Sequence, residues 1–355
     1  MSLTQFHDRT GSRLKGNVIQ SAPRWLAALA VSATLFAAPR TFASLGCVSD
    51  VDNDHMTDVN DLLAVLDNWG SCPPAPGLCP SDILPNGTVN VSDLLEVINA
   101  WGNCPCLPQF GCVTASTVWC ENFELGNYSR WTGGYDSSGP CRTSGFATDR
   151  FVSPTKSHKS QVTCAMSESH RGYGGLRFQG DNCLSSFTSP SSGGINAPNG
   201  VIVSFWIWLK VPYDFSPTKW LSLGTVTNDC SNNWTDVITL NLDDPTRRLK
   251  PVHVSSVTYA PGAPSVPLQQ WVKITWYINY STGTLHAWQN GQKVVSATFS
   301  RPVHTLCQWH WGLYASGNNN DITLYEEDIR ILKLSQPLTN FTVEPWFPGV
   351  SIGCP

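Results

Sequence analysis

The stretch YINYSTGTLHAWQNGQKVVSATF, residues 277–299, decides the fold class. Apolar and polar residues alternate through it, as they do on strands that bury one face. Turn signals at 281–283 and at Asn290-Gly291 divide it into three strands, and an Asn-Gly pair between alternating segments is a strong hairpin signal. The stretch therefore predicts an antiparallel meander.

Similar short strand-like segments fill the chain from about residue 106 onward, and no long helix is predicted there. They include VIVSFWIWLK, WLSLGTVT, VITLNL, WVKITWYINY, HWGLYAS and EDIRILKL. Over about 240 residues, this number of short strands predicts two packed sheets. We expect a mainly β domain, a jelly-roll β-sandwich, over residues 115–355.

The amino terminus has the pattern of an export signal. An apolar run at 25–38 follows the basic residues Arg9, Arg13, Lys15 and Arg24. The run is shorter than the roughly 20 residues of a membrane-spanning helix, so we expect no membrane span. Small residues before Ser44 predict a cleaved signal peptide, 1–43, and an extracellular or cell-surface location. Lipid anchoring at Cys47 is the alternative.

Charge and cysteine content restrict the classes of partner. Removing 1–43 takes away five basic residues and one acidic residue, which leaves 17 Lys plus Arg against 25 Asp plus Glu. A chain this acidic is not expected to bind nucleic acid. All 13 cysteines follow residue 43, which predicts disulfides in an oxidising compartment with one cysteine left over.

A 32-residue repeat occupies 44–105, ahead of a Cys- and Pro-rich linker at 106–114. The matched pairs include Cys47 with Cys79, Asp61 with Asp93, Trp69 with Trp101, and Cys72 with Cys104. Two copies of one unit are therefore present. Equal spacing within the units predicts Cys47–Cys72 and Cys79–Cys104 disulfides, one across the ends of each unit.

Each unit begins with an acidic loop whose oxygen spacing predicts a Ca²⁺ site. Ca²⁺ takes six to eight oxygen ligands, and loop positions 1, 3, 5, 7, 9 and 12 supply them. In the first loop these are Asp50, Asp52, Asp54, the Met56 carbonyl, Asp58 and Asp61. In the second loop they are Asp82, Asn86, the Thr88 carbonyl, Asn90 and Asp93, with Leu84 at a position that lacks a ligand. We expect weaker binding there; an acidic, solvated loop without metal is the alternative.

An amphipathic segment, DLLAVLDNWG or SDLLEVINAWG, follows each loop and predicts one helix per unit. Two such loop-and-helix halves resemble the dockerin family over about residues 47–105. The resemblance implies Ca²⁺ binding and a cohesin-bearing partner. His55 departs from the family pattern, because glycine is usual at that turn position.

Alternation in QWHWGLYAS separates an apolar from a polar face. Trp309, Trp311 and Leu313 are expected in the core, and Gln308, His310 and Tyr314 on the polar face. Neighbouring strands extend that polar face with the candidate substrate-binding residues Asn241, Lys273 and Tyr277. His253 is a further candidate, because the basic residues Arg247, Arg248 and Lys250 nearby would form a cationic cluster with it; a solvated basic surface is the alternative. Trp206 and Trp208 are candidates for stacking on sugar rings, with a second core layer as the alternative.

The strand and turn pattern resembles the concanavalin A-like jelly rolls, and within them the secreted polysaccharide lyases of the alginate and glucuronan type. The likeness covers most of residues 115–336. Gly312-Leu313-Tyr314 matches the family's Gly-x-Tyr strand, which implies a catalytic Tyr314. Such a lyase must neutralise the substrate carboxylate, remove the neighbouring carbon-bound proton and protonate the leaving oxygen, which needs an amide or cation, a base, and a phenol or imidazole. Gln308, His310 and Tyr314 supply those types as catalytic candidates. The resemblance implies β-elimination in an acidic polysaccharide. A non-catalytic, lectin-like binding or adhesion protein is the alternative.

Overall fold

The structure is a computed structural model of the 355-residue chain. It describes residues 49–51, 56–72, 79–103, 113–135, 139–152, 155–183, 193–212, 219–230, 236–243, 245–301 and 304–347. The predicted signal peptide and most of the predicted linker lie outside these ranges.

The repeated segment forms two helices, each flanked by two-residue strands. Its elements are β1 Met56–Thr57, α1 Val59–Asp67, β2 Gly70–Ser71, β3 Thr88–Val89, α2 Val91–Asn99 and β4 Gly102–Asn103. β1 pairs with β4 and β2 with β3, both antiparallel, so the strands of each unit pair with those of the other. The predicted pair of loop-and-helix units is observed.

Both helices begin at a capping box, which fixes where each loop ends. The Asp58 side chain accepts from the Asn60 N–H at 2.7 Å, and the Asn90 side chain accepts from the Ser92 N–H at 2.8 Å. Such caps satisfy backbone donors that have no partner within the helix. A small shared core holds the helices together, made of Val65, Ile83, Val89 and Val97.

Eighteen further strands follow within the described part of the chain. They are β5 Ala115–Glu121, β6 Gly133–Tyr135, β7 Arg142–Ala147, β8 Ser157–Val162, β9 His170–Gln179, β10 Asn182–Cys183, β11 Ile195–Asn196, β12 Val201–Lys210, β13 Leu221–Thr227, β14 Val237–Leu242, β15 Leu249–Val252, β16 Ser256–Tyr259, β17 Trp271–Asn279, β18 Thr284–Gln289, β19 Gln292–Thr298, β20 Thr305–Leu306, β21 Gln308–Ala315 and β22 Ile322–Leu334.

Most of these strands form two antiparallel sheets. In the described residues, a seven-stranded sheet has the order β10-β9-β21-β13-β14-β15, with β6 also on β9. A nine-stranded sheet has the order β16-β19-β18-β17-β12-β22-β8-β7, with β5 also on β22. The two sheets enclose one large core, so the predicted mainly β, jelly-roll sandwich is confirmed.

The core is rich in tryptophan and is built by strand alternation. Trp276 from the nine-stranded sheet meets Trp309 from the seven-stranded sheet, with ring centroids 5.1 Å apart. Trp276, Trp309 and Trp311 are all fully buried, as predicted. A large buried side chain contributes about 1.5–3 kcal/mol, so these rings are a main stabilising feature of the sandwich.

The predicted meander is β17, β18 and β19, and its turns fall where the sequence places them. Asn290 and Gly291 have φ values of 47° and 77°. A type I′ turn needs positive φ at both central residues, and Asn-Gly is the pair that adopts it most readily. The hairpin prediction is therefore confirmed.

The disulfides predicted across both repeat units, Cys47–Cys72 and Cys79–Cys104, are wrong. Cys72 bonds to Cys79, which links the end of one unit to the start of the next. Equal spacing within a repeat does not distinguish a bond inside a unit from one between units. Two further disulfides join Cys141 to Cys164 and Cys230 to Cys307.

Cys183 is a free cysteine, and burial raises the pKa of its thiol to about 12. In the part of the chain described, no helix combines the length and the hydropathy that crossing a membrane requires.

Candidate functional site

The outer face of the seven-stranded sheet carries a cleft of about 530 Å³. Four neighbouring strands, β9, β21, β13 and β14, form its floor. Polar and aromatic side chains line it, among them Arg171, Tyr173, Thr225, Thr239, His253, His310 and Tyr314. The predicted His310, Tyr314 and His253 therefore come together in one place.

Register explains this grouping. Tyr314 pairs with Arg171 on one side and with Ser222 on the other. His310 pairs with Thr225, and Thr225 pairs with Thr239 on the next strand. Directly paired residues of antiparallel strands point to the same side of the sheet, so these side chains share the outer face.

Aromatic rings and a cation surround Tyr314. Its ring centroid lies 4.9 Å from that of Trp220 and 5.9 Å from that of Tyr173. The Arg171 guanidinium carbon is 5.7 Å from the Tyr314 ring centre. A guanidinium at this distance makes a cation–π contact with the ring, and its positive charge also attracts anionic ligands.

His310 is held as a neutral imidazole. It is 4% exposed, and its ring centroid is 5.2 Å from that of Tyr173. Burial, and then the charges of Arg177 and Arg171, lower the pKa of His310 to about 3. A neutral imidazole has one ring nitrogen that can accept a proton at neutral pH, and a pKa this low also makes it a weak base.

Gln308 lies on the same face but is not open to the cleft. Its side chain is fully buried, and its amide nitrogen donates to the Asp229 carbonyl at 2.9 Å. The adjacent Cys230–Cys307 disulfide holds that segment against the strand. The prediction that Gln308 contacts a substrate carboxylate is therefore disfavoured by its burial.

Asn241 and His253 occupy the side of the cleft face formed by β14 and β15. Asn241 is half-buried and pairs with Lys250, which is bonded to Asp243 at 2.9 Å. His253 follows β15 with a positive φ of 63° and is exposed at the cleft. The basic residues expected around His253 are engaged elsewhere, since Arg248 and Lys250 both pair with Asp243.

Four other candidate residues lie on the nine-stranded sheet, away from the cleft. Lys273 and Tyr277 are on β17, and Trp206 and Trp208 are on β12. Alternation places a residue on one side of its own strand but does not say which sheet that strand joins. The expectation that Lys273 and Tyr277 share one polar surface with Tyr314 is wrong, because β17 and β21 belong to different sheets.

Tyr277 is buried as well as remote from Tyr314. It is 3% exposed, and the chain that follows β22 covers it through Leu338 and Phe341. Its hydroxyl donates to the Asn199 carbonyl at 3.1 Å. Trp208 is 6% exposed beneath the Arg150 guanidinium, 4.1 Å away, which matches the alternative of a second packed layer.

Arg171 and Tyr173 are cleft residues that the sequence reasoning missed. Both come from β9, whose segment HRGYGGLRFQ contains three glycines. The glycines obscure the alternation, because they carry no side chain to mark a face. The positions Arg171, Tyr173 and Arg177 do keep the period of two, which was the available signal.

The second acidic loop lies wholly within the described residues, and the first lies partly within them. Asp61 and Asp93 are fully buried, and each carboxylate accepts two backbone N–H groups. Asp82 accepts from the N–H groups of Asn86 and Gly87 at 3.1 and 2.8 Å. Asp52 and Asp54 lie outside the described residues.

Each helix of the repeated segment exposes an apolar row. Trp69 is 51% exposed and Trp101 is 54% exposed. Equivalent apolar side chains in the two units have similar exposed fractions, so the apolar surface is duplicated. The row in each unit is made of Val59, Leu63, Leu66 and Trp69, or Val91, Leu95, Ile98 and Trp101.

The chain matches no known family profile, and no curated protein sequence is significantly similar to it. Solved structures do resemble it. An endo-β-1,4-glucuronan lyase from the fungus Trichoderma reesei has a TM-score of 0.44 at 11% identity, over 64% of this chain and 98% of its own. A cellulose-induced protein has a TM-score of 0.42 at 12% identity, over 65% and 100%.

An alginate lyase from Aplysia kurodai has a TM-score of 0.37 at 11% identity, over 61% of this chain and 99% of its own. Because all three TM-scores are below 0.5, conclusions about this chain rest on its own residues and geometry.

Proposed function

We propose that this chain is an extracellular polysaccharide lyase that cleaves a uronic-acid-containing glycan by β-elimination. The observation that carries the proposal is the grouping of Arg171, His310 and Tyr314 around one cleft. These three supply a cation, a neutral base and a phenol, which are the chemical types that this reaction needs.

The reaction removes the proton on the carbon next to the carboxylate and breaks the neighbouring carbon–oxygen bond of the glycosidic link. The electron pair of the C–H bond forms the new carbon–carbon double bond, and the leaving oxygen takes a proton. Arg171 would bind the substrate carboxylate and stabilise the negative charge that develops on it. His310 would accept the carbon-bound proton, and the Tyr314 hydroxyl would donate to the leaving oxygen.

A lectin-like binding protein is the second candidate. The observation that favours it is the aromatic setting of Tyr314, whose ring lies beside those of Trp220 and Tyr173. Aromatic rings beside a cleft provide apolar contact for sugars, and such contacts bind a glycan without turnover.

The deciding experiment follows the ultraviolet absorbance of unsaturated uronates with the mature protein on glucuronan, alginate and other acidic glycans. Tyr314→Phe should abolish the rise in absorbance while the glycan still binds. Tyr325→Phe is the matched control and should retain activity, because Tyr325 lies on the other sheet, where its hydroxyl donates to Asp149. Binding of acidic glycans without any rise in absorbance would refute the lyase proposal and support the lectin.

We also propose that the repeated segment binds Ca²⁺. Every predicted ligand is a carboxylate, amide or carbonyl oxygen, which is the donor set that Ca²⁺ prefers. The buried Asp61 and Asp93 carboxylates support the fit, since an ion would neutralise charges that burial otherwise makes costly. Asp50, Asp58 and Asp61 would hold the ion in the first loop with Asp52, Asp54 and the Met56 carbonyl. Asp82, Asn86, Asn90 and Asp93 with the Thr88 carbonyl would hold it in the second.

The Ca²⁺ proposal is tested by the melting temperature of the mature protein with Ca²⁺ or with a chelator. A ligand that binds only the native state must raise the melting temperature. Asp50→Asn should reduce the rise, and Asp67→Asn should leave it unchanged because Asp67 is exposed near the end of α1, outside both loops. No rise with Ca²⁺ in the unmodified protein would refute the proposal.

The duplicated apolar rows support a further part of the proposal, that the repeated segment docks onto a cohesin-bearing protein. Large apolar side chains at half exposure on both helices are costly to leave in water and suit a protein partner. Binding to purified cohesin domains, measured by calorimetry, should be lost in a Trp69→Ser, Trp101→Ser double variant. Tight binding by that variant would contradict docking through these rows.

Export of the chain is the last part of the proposal. The predicted signal peptide lies outside the described residues, and the three disulfides in the described part support an oxidising location. Expression of the full chain in a secreting host should yield a mature protein that begins near Ser44 by amino-terminal sequencing.

A further inference from the structure

A buried carboxyl group crosses the core and contacts the strand that carries the cleft residues. Glu326 lies on β22 of the nine-stranded sheet and is 1% exposed. Its Oε1 accepts a hydrogen bond from the backbone N–H of Gly312, on β21 of the other sheet, at 3.1 Å. Gly312 lies midway between His310 and Tyr314.

Gly312 has an unusual backbone at this point. Its φ is +100°, and a Cβ placed there would lie 2.6 Å from the Gly172 carbonyl oxygen. The register between β13 and β21 shifts between Ser222 and Gly224, directly opposite this position. Such a bulge turns the backbone and re-aims the side chains beside it. Here it also directs the Gly312 N–H into the core, where Glu326 accepts it.

A second buried bond between the sheets holds the neighbouring strand. The Ser160 hydroxyl, on β8, donates to the Gly172 carbonyl at 2.6 Å. Gly172 pairs with Leu313 and lies between Arg171 and Tyr173. Both central strands beneath the cleft, β9 and β21, are therefore hydrogen-bonded through their backbones to side chains of the nine-stranded sheet.

Leaving Glu326 in the core as a charged group would be very costly. Burial raises the pKa of Glu326 well above its ordinary value, which favours the neutral acid, and Oε1 accepts the Gly312 N–H in either form. Burying even a neutral carboxyl costs more free energy than burying an aliphatic side chain. The presence of Glu326 in the core therefore points to a role for its hydrogen bond in the fold or at the site.

We propose that Glu326 is a positioning residue for the cleft, which fixes the bulged backbone at Gly312 and thereby the relative placement of the His310 imidazole and the Tyr314 hydroxyl. The predicted effect on turnover rests on the proposed function, whereas the predicted effect on the backbone at Gly312 does not depend on any activity. Glu326 itself does not reach the cleft, since it lies on the core side of Gly312.

The test compares three variants. Glu326→Gln keeps an acceptor of the same shape, Glu326→Met has similar bulk without an oxygen, and Leu324→Ala removes core packing two residues away on the same strand and the same face. Glu326→Val, which also lacks an acceptor and favours a strand, replaces the Met variant if that one does not fold.

The structural readout is nuclear magnetic resonance of the mature protein. In Glu326→Met the Gly312 amide should exchange with solvent about tenfold faster, as loss of a bond of about 1.4 kcal/mol implies. The ring signals of His310 and Tyr314 should also shift. Glu326→Gln and Leu324→Ala should resemble the unmodified protein at these signals, although Leu324→Ala lowers overall stability.

The kinetic readout is turnover of the acidic glycan. Glu326→Met should lower kcat by about 10- to 100-fold with KM within about twofold, because misplacing reacting groups affects the chemical step most. Glu326→Gln should restore kcat. If the unmodified protein has no turnover, the proposed function fails, and the resonance data alone decide the positioning role. If the exchange of the Gly312 amide and the ring signals of His310 and Tyr314 were unchanged in Glu326→Met, the positioning role of Glu326 would be overturned.

Discussion

Replacing Gly312 by alanine should destabilise the sandwich more than the same replacement at another glycine with positive φ. At Gly312 the backbone has φ +100°, and the new Cβ would meet the Gly172 carbonyl oxygen at 2.6 Å and the Tyr173 Cα at 2.7 Å. The unfavourable backbone conformation costs about 1–2 kcal/mol. The overlap with backbone atoms of β9, which cannot rotate away, costs about 1–3 kcal/mol more.

Gly262 provides the matched control. Its φ is +68°, and no atom lies within 4 Å of the position a Cβ would take. Gly262→Ala should therefore cost only about 1–2 kcal/mol, from the backbone conformation alone. The difference between the two variants measures how tightly β9 and β21 approach each other beneath the cleft.

The assay is urea unfolding of the mature protein, followed by tryptophan fluorescence, with the change in the free energy of unfolding taken at constant slope. We expect about 3 kcal/mol for Gly312→Ala, which lowers the melting temperature by roughly 6–12 °C in a domain of this size. Equal costs for the two variants would refute the close approach. A cost at Gly312 below that at Gly262 would also contradict the assigned backbone conformation.

Three other predictions test separate features. The free energy of unfolding should fall as the pH drops below the ordinary His value of 6.5, because the pKa of His310 is lowered to about 3 and the unfolded chain binds the proton first. Between pH 6.5 and about 4.5, the free energy of unfolding measured in urea titrations should fall by about 2–3 kcal/mol less in His310→Gln than in the unmodified protein. The same pH dependence in both proteins would contradict a buried neutral imidazole. In the repeated segment, Val97→Ala should cost about 1–2 kcal/mol because Val97 is fully buried. Trp101→Ser should lower the free energy of unfolding by less than about 0.5 kcal/mol, because Trp101 is 54% exposed. Thermal melts in which Trp101→Ser is less stable than Val97→Ala would place the apolar row in the core. Mass spectrometry of unreduced peptides should find Cys72 joined to Cys79, and a Cys47–Cys72 peptide would contradict the observed connection.

Local signals in the sequence predicted the local structure well. Asn290-Gly291 identified its turn because only a few residue types tolerate positive φ at both positions. Alternation placed Trp309 and Trp311 in the core because each strand of a sandwich buries one face. The helical spacing of apolar residues after each acidic loop predicted both helices of the repeated segment.

Long-range pairing was not visible in those signals. Tyr277 and Tyr314 occupy equivalent polar positions in their own strands, yet they lie on different sheets. Tyr277 is buried because the segment around Leu338 and Phe341 packs over it. The residues of β17 alone do not predict that contact. Arg171 joins the cleft because β9 pairs with β21, although 128 residues lie between Gln179, where β9 ends, and Gln308, where β21 begins.

The exchange of short strands between the two repeat units has a consequence for how the segment could have arisen. Because β1 pairs with β4 and β3 pairs with β2, one unit alone would have two unpaired strand edges. A second copy of the same unit, related by a two-fold axis, satisfies both edges. An ancestral single unit would thus have been a homodimer, and gene fusion would have converted that dimer into one chain whose halves fold and unfold together.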